Sequence, residues 1–134
     1  MSHALISQVD FFASLASLTG QKLDANAAPD SYNMLSALLG NSMKGRQEML
    51  EEAFTLAVRS GSWKYIAPQT KGTPDWLKNK KVETGLALKP QLFDLKNDIG
   101  EEHNVIEKYP DLAKKMKKML NNIENQATRP GYRK

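Results

Sequence analysis

The residues best suited to chemistry fall in two stretches in the second half of the chain. The first stretch holds carboxylates and a histidine, at Asp94, Asp98, Glu101, Glu102 and His103. Carboxylate oxygens and imidazole nitrogens bind metals, but this spacing matches no strong ligand motif. The capping-box spacing of Asp98 and Glu101 instead predicts a short helix that runs through Val105. We therefore predict a structural role for this cluster and assign no metal ligand.

The second stretch is a long, lysine-rich loop over residues 69–89. Its cations and its aromatic ring are Lys71, Trp76, Lys78, Lys80 and Lys81. Ammonium groups and an indole ring suit contact with an anionic ligand. The alternative is a solvated loop whose tryptophan packs on the rest of the domain. A loop of this length is usually either functional or mobile, so both interpretations stay open.

Composition narrows the classes of function. The chain has 134 residues, enough for one domain with a modest core. A net charge of +4 is too small for a dedicated nucleic-acid binder, and the last helix carries its lysines opposite a core-type apolar face. The absence of cysteine excludes disulfides and thiolate chemistry. No apolar run approaches the length of a membrane span. We therefore expect neither nucleic acid nor membrane as a partner.

The helices and strands that must position these residues can be predicted from the spacing of apolar residues and from capping, glycine and proline residues. Asp10 is predicted to cap a first helix that ends at Gly20, and a second short helix follows over residues 32–39. A final helix is predicted to begin at Pro110. The predicted strands cover residues 49–53, 54–59, 63–66 and 91–95.

Together these elements predict an α+β fold. We expect a small antiparallel sheet of about four strands packed against the C-terminal helix, with one or two helices at the N-terminus. Residues 1–40 form the helical segment, residues 41–126 the α+β subdomain, and residues 127–134 a basic, disordered tail.

Three segments, taken in order, resemble the C-terminal third of the sulfatase family. Residues 7–20 resemble the family's strand that enters an Asp-led helix ending at Gly, and residues 57–66 resemble its "R-x-G-x-W-K-Y-I" hairpin. Residues 91–104 are similar to its "L-[YF]-D-L-x-x-D-P-G-E-x-x-N" run, with Ile99 in place of the usual proline. Residues 30–40 look like its link into an "LLG" helix, so the resemblance covers about residues 5–124.

The resemblance implies a hydrolase of sulfate esters whose nucleophile is absent from this chain. Sulfatases use a formylglycine made from Cys or Ser in a C/S-x-P-x-R motif, assisted by a calcium ion. Here there is no cysteine, and none of the six prolines has Ser or Cys two positions before it. We assign no catalytic or metal residue and no cofactor to this chain. Calcium and formylglycine are expected in the parent enzyme.

The expected role is a non-catalytic sulfatase fragment that completes the fold and one wall of the substrate cleft. In this interpretation Trp76, Lys71, Lys78 and Lys80 contact the sulfated substrate. The alternative is a free-standing binding module for sulfated glycans or for a protein partner. A titration with sulfated oligosaccharides would distinguish the two.

The expected partner is the missing N-terminal catalytic domain of the same chain. The first helix carries more apolar surface than a peripheral helix needs. Exposure of that surface predicts self-association through Phe11, Phe12, Leu15 and Leu18. The N-terminus lacks a basic region and a long apolar region, so no targeting signal is expected in this fragment. The resemblance implies a periplasmic or secreted parent enzyme.

Overall fold

The computed structural model describes residues 3–24, 26–52, 54–70, 75 and 86–125. Its helices are α1 (Asp10–Leu18), α2 (Leu35–Leu38) and α3 (Pro110–Glu124). Its strands are β1 (Glu48–Glu52), β2 (Leu56–Ser60), β3 (Trp63–Ile66) and β4 (Gln91–Asp94). In the part of the chain so described, no helix has the length and apolarity to cross a membrane.

The four strands form one antiparallel sheet in the order β1-β2-β3-β4, which confirms the predicted α+β fold. In the central hairpin Ser60 pairs with Trp63, so only two residues form the turn between β2 and β3. Gly61 occupies the first turn position with φ of 58°, a conformation that glycine adopts without steric cost. Tyr65 lies opposite Val58 on one side and Leu92 on the other, which fixes the register of the three strands.

The main core lies between one face of the sheet and α3. Val58, Tyr65 and Leu92 supply the sheet side of this core. The buried residues of α3 are Ala113, Met116 and Leu120. Their spacing of three and four residues places them on one side of the helix, as the apolar periodicity of the sequence predicts. The α3 helix begins at the predicted Pro110, where a missing amide hydrogen costs no helical hydrogen bond.

The opposite face of the sheet also carries a buried cluster. Ala57, Ile66 and Phe93 are its buried members, and Leu95 packs against them. Residues alternate between the faces of a strand, so β2, β3 and β4 each contribute to both clusters. A strand pattern with apolar residues on both faces is typical of a sheet that is covered on both sides.

The predicted boundaries of the second helix and of three strands are wrong. The first strand covers Glu48–Glu52 rather than residues 49–53. The second strand begins at Leu56 rather than residue 54, because Phe54 has a positive φ of 66° that a strand does not allow. The second helix covers Leu35–Leu38 rather than residues 32–39, and the Asn33 side chain accepts a hydrogen bond from the Leu35 amide just before it. The fourth strand ends at Asp94 instead of residue 95.

The predicted helix from Asp98 through Val105 is also wrong. Residues 98–105 form a turn followed by irregular chain in the structure. Glu101 has a positive φ of 56°, which is incompatible with a right-handed helix. The Asp98 carboxylate still binds backbone amides, but those of Glu102 and His103, at 3.1 and 2.8 Å, rather than the amide of Glu101. The two residues therefore share no capping box.

The chain divides into two compact units. The first contains residues 1–49 and 124–134, and the second contains Leu50–Ile123. Both hydrophobic clusters belong to the second unit. In the first unit the buried positions among the described residues are Leu5, Asp10, Ser14 and Ala37. Half of these side chains are polar, so hydrogen bonds take a large share in holding this unit together.

Met116 provides a test of the α3 core. It is almost fully buried, so Met116→Ala should lower the free energy of unfolding by about 2–5 kcal/mol through lost contacts and the cavity left behind. The neighbouring Lys117→Ala removes an exposed side chain and should change stability by less than about 0.5 kcal/mol. Urea unfolding followed by circular dichroism measures both. Equal effects of the two changes would contradict the packing of α3 described above.

Candidate functional site

The predicted substrate-contact residues lie outside the described part of the chain. These residues are Lys71, Trp76, Lys78 and Lys80, together with Lys81. Their contact with a sulfated substrate stays a prediction from the sequence.

The carboxylate–histidine cluster does not form a metal site in the structure. Across the described ranges, no group of three or more His, Asp or Glu side chains is arranged to hold a metal ion. Asp98 instead closes its own turn, and His103 Nδ1 lies 3.7 Å from its Oδ1 atom. The backbone amides of His103 and Glu102 lower the pKa of Asp98 and hold it ionised. Asp98 thus stabilises a turn, whereas the predicted capping box with Glu101 is wrong.

The Glu101 side chain forms an ion pair with Lys64 on β3. Lys64 Nζ lies 2.7 Å from Glu101 Oε1 and 3.1 Å from Glu51 Oε2. Burial alone would lower the pKa of Lys64, but hydrogen bonds and charge interactions with the two carboxylates raise it. A lysine that stays protonated between two carboxylates is neither a base nor a receptor for an anion. This cluster therefore joins β1, β3 and the turn after β4 without offering a reactive group.

Among the described residues of the first unit, the Asp10 carboxylate has no exposed surface. It accepts backbone hydrogen bonds from Ser7 and Tyr32, both 2.9 Å long. Arg46 donates to both carboxylate oxygens, with Nε 2.7 Å from Oδ2. Arg46 Nη2 also donates to the Asp30 carbonyl oxygen at 2.6 Å. Four donors occupy the acceptor capacity of one carboxylate, so Asp10 has no lone pair left for a ligand.

The same interaction excludes the predicted capping role of Asp10. Val9 occupies the N-cap position of α1, and no side chain caps the helix. Arg46 is assigned no role in the sequence analysis above. It is the only arginine in residues 1–49, and that isolation is the one signal that could have paired it with a buried aspartate. The Tyr32 ring covers the guanidinium, with 4.4 Å between Cζ and the ring centroid.

Ser14 extends this polar contact along α1. Its hydroxyl donates to the Asp10 carbonyl oxygen at 2.6 Å and accepts from the Met34 amide at 2.9 Å. The Ala13 amide donates to the Ser31 hydroxyl, also at 2.9 Å. The side of α1 that faces the rest of the unit is therefore attached through serine and aspartate, with Ser14 fully buried.

The apolar side of α1 consequently faces outward. Phe11, Phe12, Leu15 and Leu18 are 46%, 54%, 53% and 55% exposed. Three of them follow the spacing i, i+4, i+7 and form a continuous strip, with Phe12 beside it. A helix of a soluble protein normally has the opposite arrangement, with its apolar residues inside. An exposed strip of this kind is a site for contact with another surface, and it is our candidate functional site.

Comparisons with known proteins show that the chain is similar to sulfatases. The chain is 37% identical over 125 residues to an N-acetylgalactosamine-6-O-sulfatase of Bacteroides thetaiotaomicron, covering 92% of the chain and 24% of that protein. It is 27% identical over 137 residues to arylsulfatase K of Mus musculus, covering 91% and 22%. A solved structure from work on glycosaminoglycan metabolism by Bacteroides thetaiotaomicron superposes with a TM-score of 0.80 at 37% identity, covering 92% and 26%. No protein-family model matches the sequence.

The chain is related to the C-terminal region of sulfatases. It spans about a quarter of the length of the sulfatases that it matches. The resemblance carried by residues 7–20, 57–66 and 91–104 is thereby confirmed. The exposed strip of α1 lies in the first of these segments, and the central hairpin in the second.

The residues of this sulfatase-related region do not fit the two groups that the family implies. A formylglycine requires a Cys or Ser in the C/S-x-P-x-R motif, and the sequence has neither in that position. The carboxylates of the described residues form no cluster for calcium. We therefore derive no chemistry from either group in this chain.

The pairing of Asp10 with Arg46 makes the first unit sensitive to acid. Burial would raise the pKa of Asp10, but hydrogen bonds from Arg46 and from the Tyr32 and Ser7 amides lower it below its ordinary 3.8. Because the pKa of Asp10 is lower in the folded state than in the unfolded state, ionised Asp10 stabilises the fold. This stabilisation is complete above the ordinary pKa of an aspartate and is lost as the pH falls through the pKa of folded Asp10. We expect amide exchange at Ser7 and Tyr32 to accelerate as the pH falls below about 4, beyond the intrinsic change in exchange rate.

Asp10→Asn should reproduce this loss at neutral pH. Removing one partner leaves the buried Arg46 charge uncompensated and should cost about 3–5 kcal/mol. Hydrogen exchange at the Ser7 and Tyr32 amides, measured by NMR, reports on the first unit directly. Asp24→Asn is the matched control, because Asp24 is exposed in the same unit. Unchanged protection in the Asp10 variant would show that the ion pair does not hold these segments.

Proposed function

We propose that this chain is the non-catalytic C-terminal part of a sulfatase. It completes the fold of the enzyme and one wall of the substrate cleft, and it hydrolyses no sulfate ester alone. The chain is similar to a sulfatase but has no C/S-x-P-x-R motif, and this supports the proposal that it hydrolyses no sulfate ester alone. A sulfate ester needs an activated nucleophile and a positive clamp on the developing charge. Lys64 is neutralised by two carboxylates and Arg46 by Asp10, which leaves neither cation free for that clamp.

The observation that carries the structural role is the outward apolar strip of α1. The buried Asp10 and Ser14 fix the rotation of α1 about its axis, so Phe11, Leu15 and Leu18 cannot turn inward without breaking the buried ion pair. In the proposed enzyme this strip packs on the catalytic domain. About 0.8 kcal/mol per buried methylene group makes such a contact strongly favourable.

The rest of the proposed enzyme follows from the relation to sulfatases. Calcium and formylglycine belong to its catalytic domain, and export to a periplasm or to the outside follows from the family. Within this proposal Trp76, Lys71, Lys78 and Lys80 contribute to the lip of the cleft. Their cationic and aromatic side chains suit a sulfated sugar.

The isolated chain should show no sulfatase activity. With 4-nitrophenyl sulfate and added calcium, release of nitrophenol should equal that of a buffer blank, because no residue can become the formylglycine nucleophile. A complete arylsulfatase assayed in parallel shows that the conditions support turnover. Robust hydrolysis by several independent preparations of the chain would contradict the proposal.

The uncovered α1 strip should make the isolated chain self-associate. Analytical ultracentrifugation between 5 and 200 micromolar, on the order of concentrations where weak apolar contacts act, should show an increasing average mass. The double change Leu15→Gln with Leu18→Gln should shift this association to at least about tenfold higher concentration, since each change removes apolar area from the contact.

A control double variant tests whether association depends on the α1 strip or on any exposed apolar residue. Leu88 and Ile99 are 84% and 91% exposed and lie in the second unit. Leu88→Gln with Ile99→Gln should leave association unchanged. A monomeric chain throughout the concentration range, or equal effects of the two double variants, would count against α1 as the docking surface.

A further inference from the structure

The outer side of α3 carries a concentrated positive charge. Its cations are Lys114, Lys115, Lys117 and Lys118, all exposed. Ala113, Met116 and Leu120 are buried against the sheet on the other side, so the core fixes the direction in which the lysines point. At about 100° per residue the four lysines cover a sector of roughly 160° of the helix surface. They therefore form one rigidly mounted basic face.

This basic face is weakly compensated by acidic side chains. Asp111 lies 3.8 Å from Lys114, but the two side chains are 97% and 81% exposed, so water screens the pair. Among the described residues, no carboxylate lies within ion-pair distance of Lys115, Lys117 or Lys118. These lysines contrast with Lys64, which is held between two carboxylates. Within the described ranges, three of the four α3 ammonium groups therefore have no carboxylate partner.

We infer that this basic face of α3 binds a linear sulfated polysaccharide. Lysines mounted on successive positions of a rigid helix suit a polymer that repeats anionic groups along its length. Residues 111–124 include no aromatic residue, so this face lacks the stacking platform with which proteins bind single-stranded nucleic acid. The apolar residues of α3 are committed to the core and cannot insert into a membrane. The choice of sulfate as the anion rests on the proposed function.

Such binding would hold a polymeric substrate on the enzyme between successive reactions. The binding free energy is electrostatic and therefore does not depend on the identity of the sugar. Such a surface can contact many parts of one polysaccharide. It should weaken steeply with added salt, as the polymer regains the counterions that the lysines displaced.

The test compares two variants that remove four lysines each. The face variant changes Lys114, Lys115, Lys117 and Lys118 to Gln. The scattered variant changes Lys22, Lys44, Lys89 and Lys96 to Gln, all of them exposed and outside α3. Each variant lowers the net charge from +4 to 0, because four positive charges are removed. Glutamine preserves helix propensity, and circular dichroism confirms that both variants are folded.

Binding is measured by isothermal titration calorimetry with dextran sulfate, with unsulfated dextran as the neutral control. At low salt the unchanged chain should bind dextran sulfate but not dextran. The face variant should bind roughly tenfold to a hundredfold more weakly, and the scattered variant less than about threefold more weakly. A short DNA duplex serves as a second polyanion and should bind more weakly than dextran sulfate.

Three results would overturn the inference. They are no binding of dextran sulfate by the unchanged chain, equal weakening in the two variants, and DNA binding as tight as that of dextran sulfate. Each leaves the proposed function intact, because the nitrophenyl sulfate assay and the α1 association do not depend on the α3 lysines. Conversely, sulfatase activity in the isolated chain would contradict the proposed function. It would not change the difference in dextran sulfate affinity between the face variant and the scattered variant.

Discussion

The first unit depends on one buried ion pair. A carboxylate without access to water is tolerated only when its charge is balanced and its oxygens are hydrogen-bonded, and Asp10 meets both conditions through Arg46 and two backbone amides. These donors come from three places in the chain, at residues 7, 32 and 46, and Ser14 adds a separate hydrogen bond to the Asp10 backbone carbonyl oxygen. The ion pair thus fixes a long connecting segment in which Ala37 is the only buried apolar side chain among the described residues.

The orientation of α1 is a consequence of that ion pair. Because Asp10 and Ser14 lie one turn apart on the same side, burying both turns Phe11, Leu15 and Leu18 to the opposite side. A folding chain left to maximise apolar burial would favour the reverse rotation. The observed rotation agrees with the proposal that another apolar surface covers the strip, and the chain spans about a quarter of the length of the sulfatases that it matches.

Local sequence patterns predicted the elements whose determinants are local. The hairpin of residues 57–66 and the periodic face of α3 are both predicted correctly, since each depends on residues within a few positions of one another. The errors involve partners far apart in the sequence. Arg46 lies 36 positions from Asp10, and Lys64 lies 37 positions from Glu101. Capping-box spacing cannot reveal that such a distant charge has taken the carboxylate.

The two units are stabilised in opposite ways, the second by apolar burial and the first by buried polar groups. The second unit buries apolar residues on both faces of its sheet and can present charged lysines on α3 without losing core contacts. The first unit closes around polar groups and leaves its large apolar side chains outside. The sequence could predict the apolar content of α1 but not which side of it was free, because that depends on Arg46. Polar burial within the first unit therefore explains why the apolar strip of α1 is exposed.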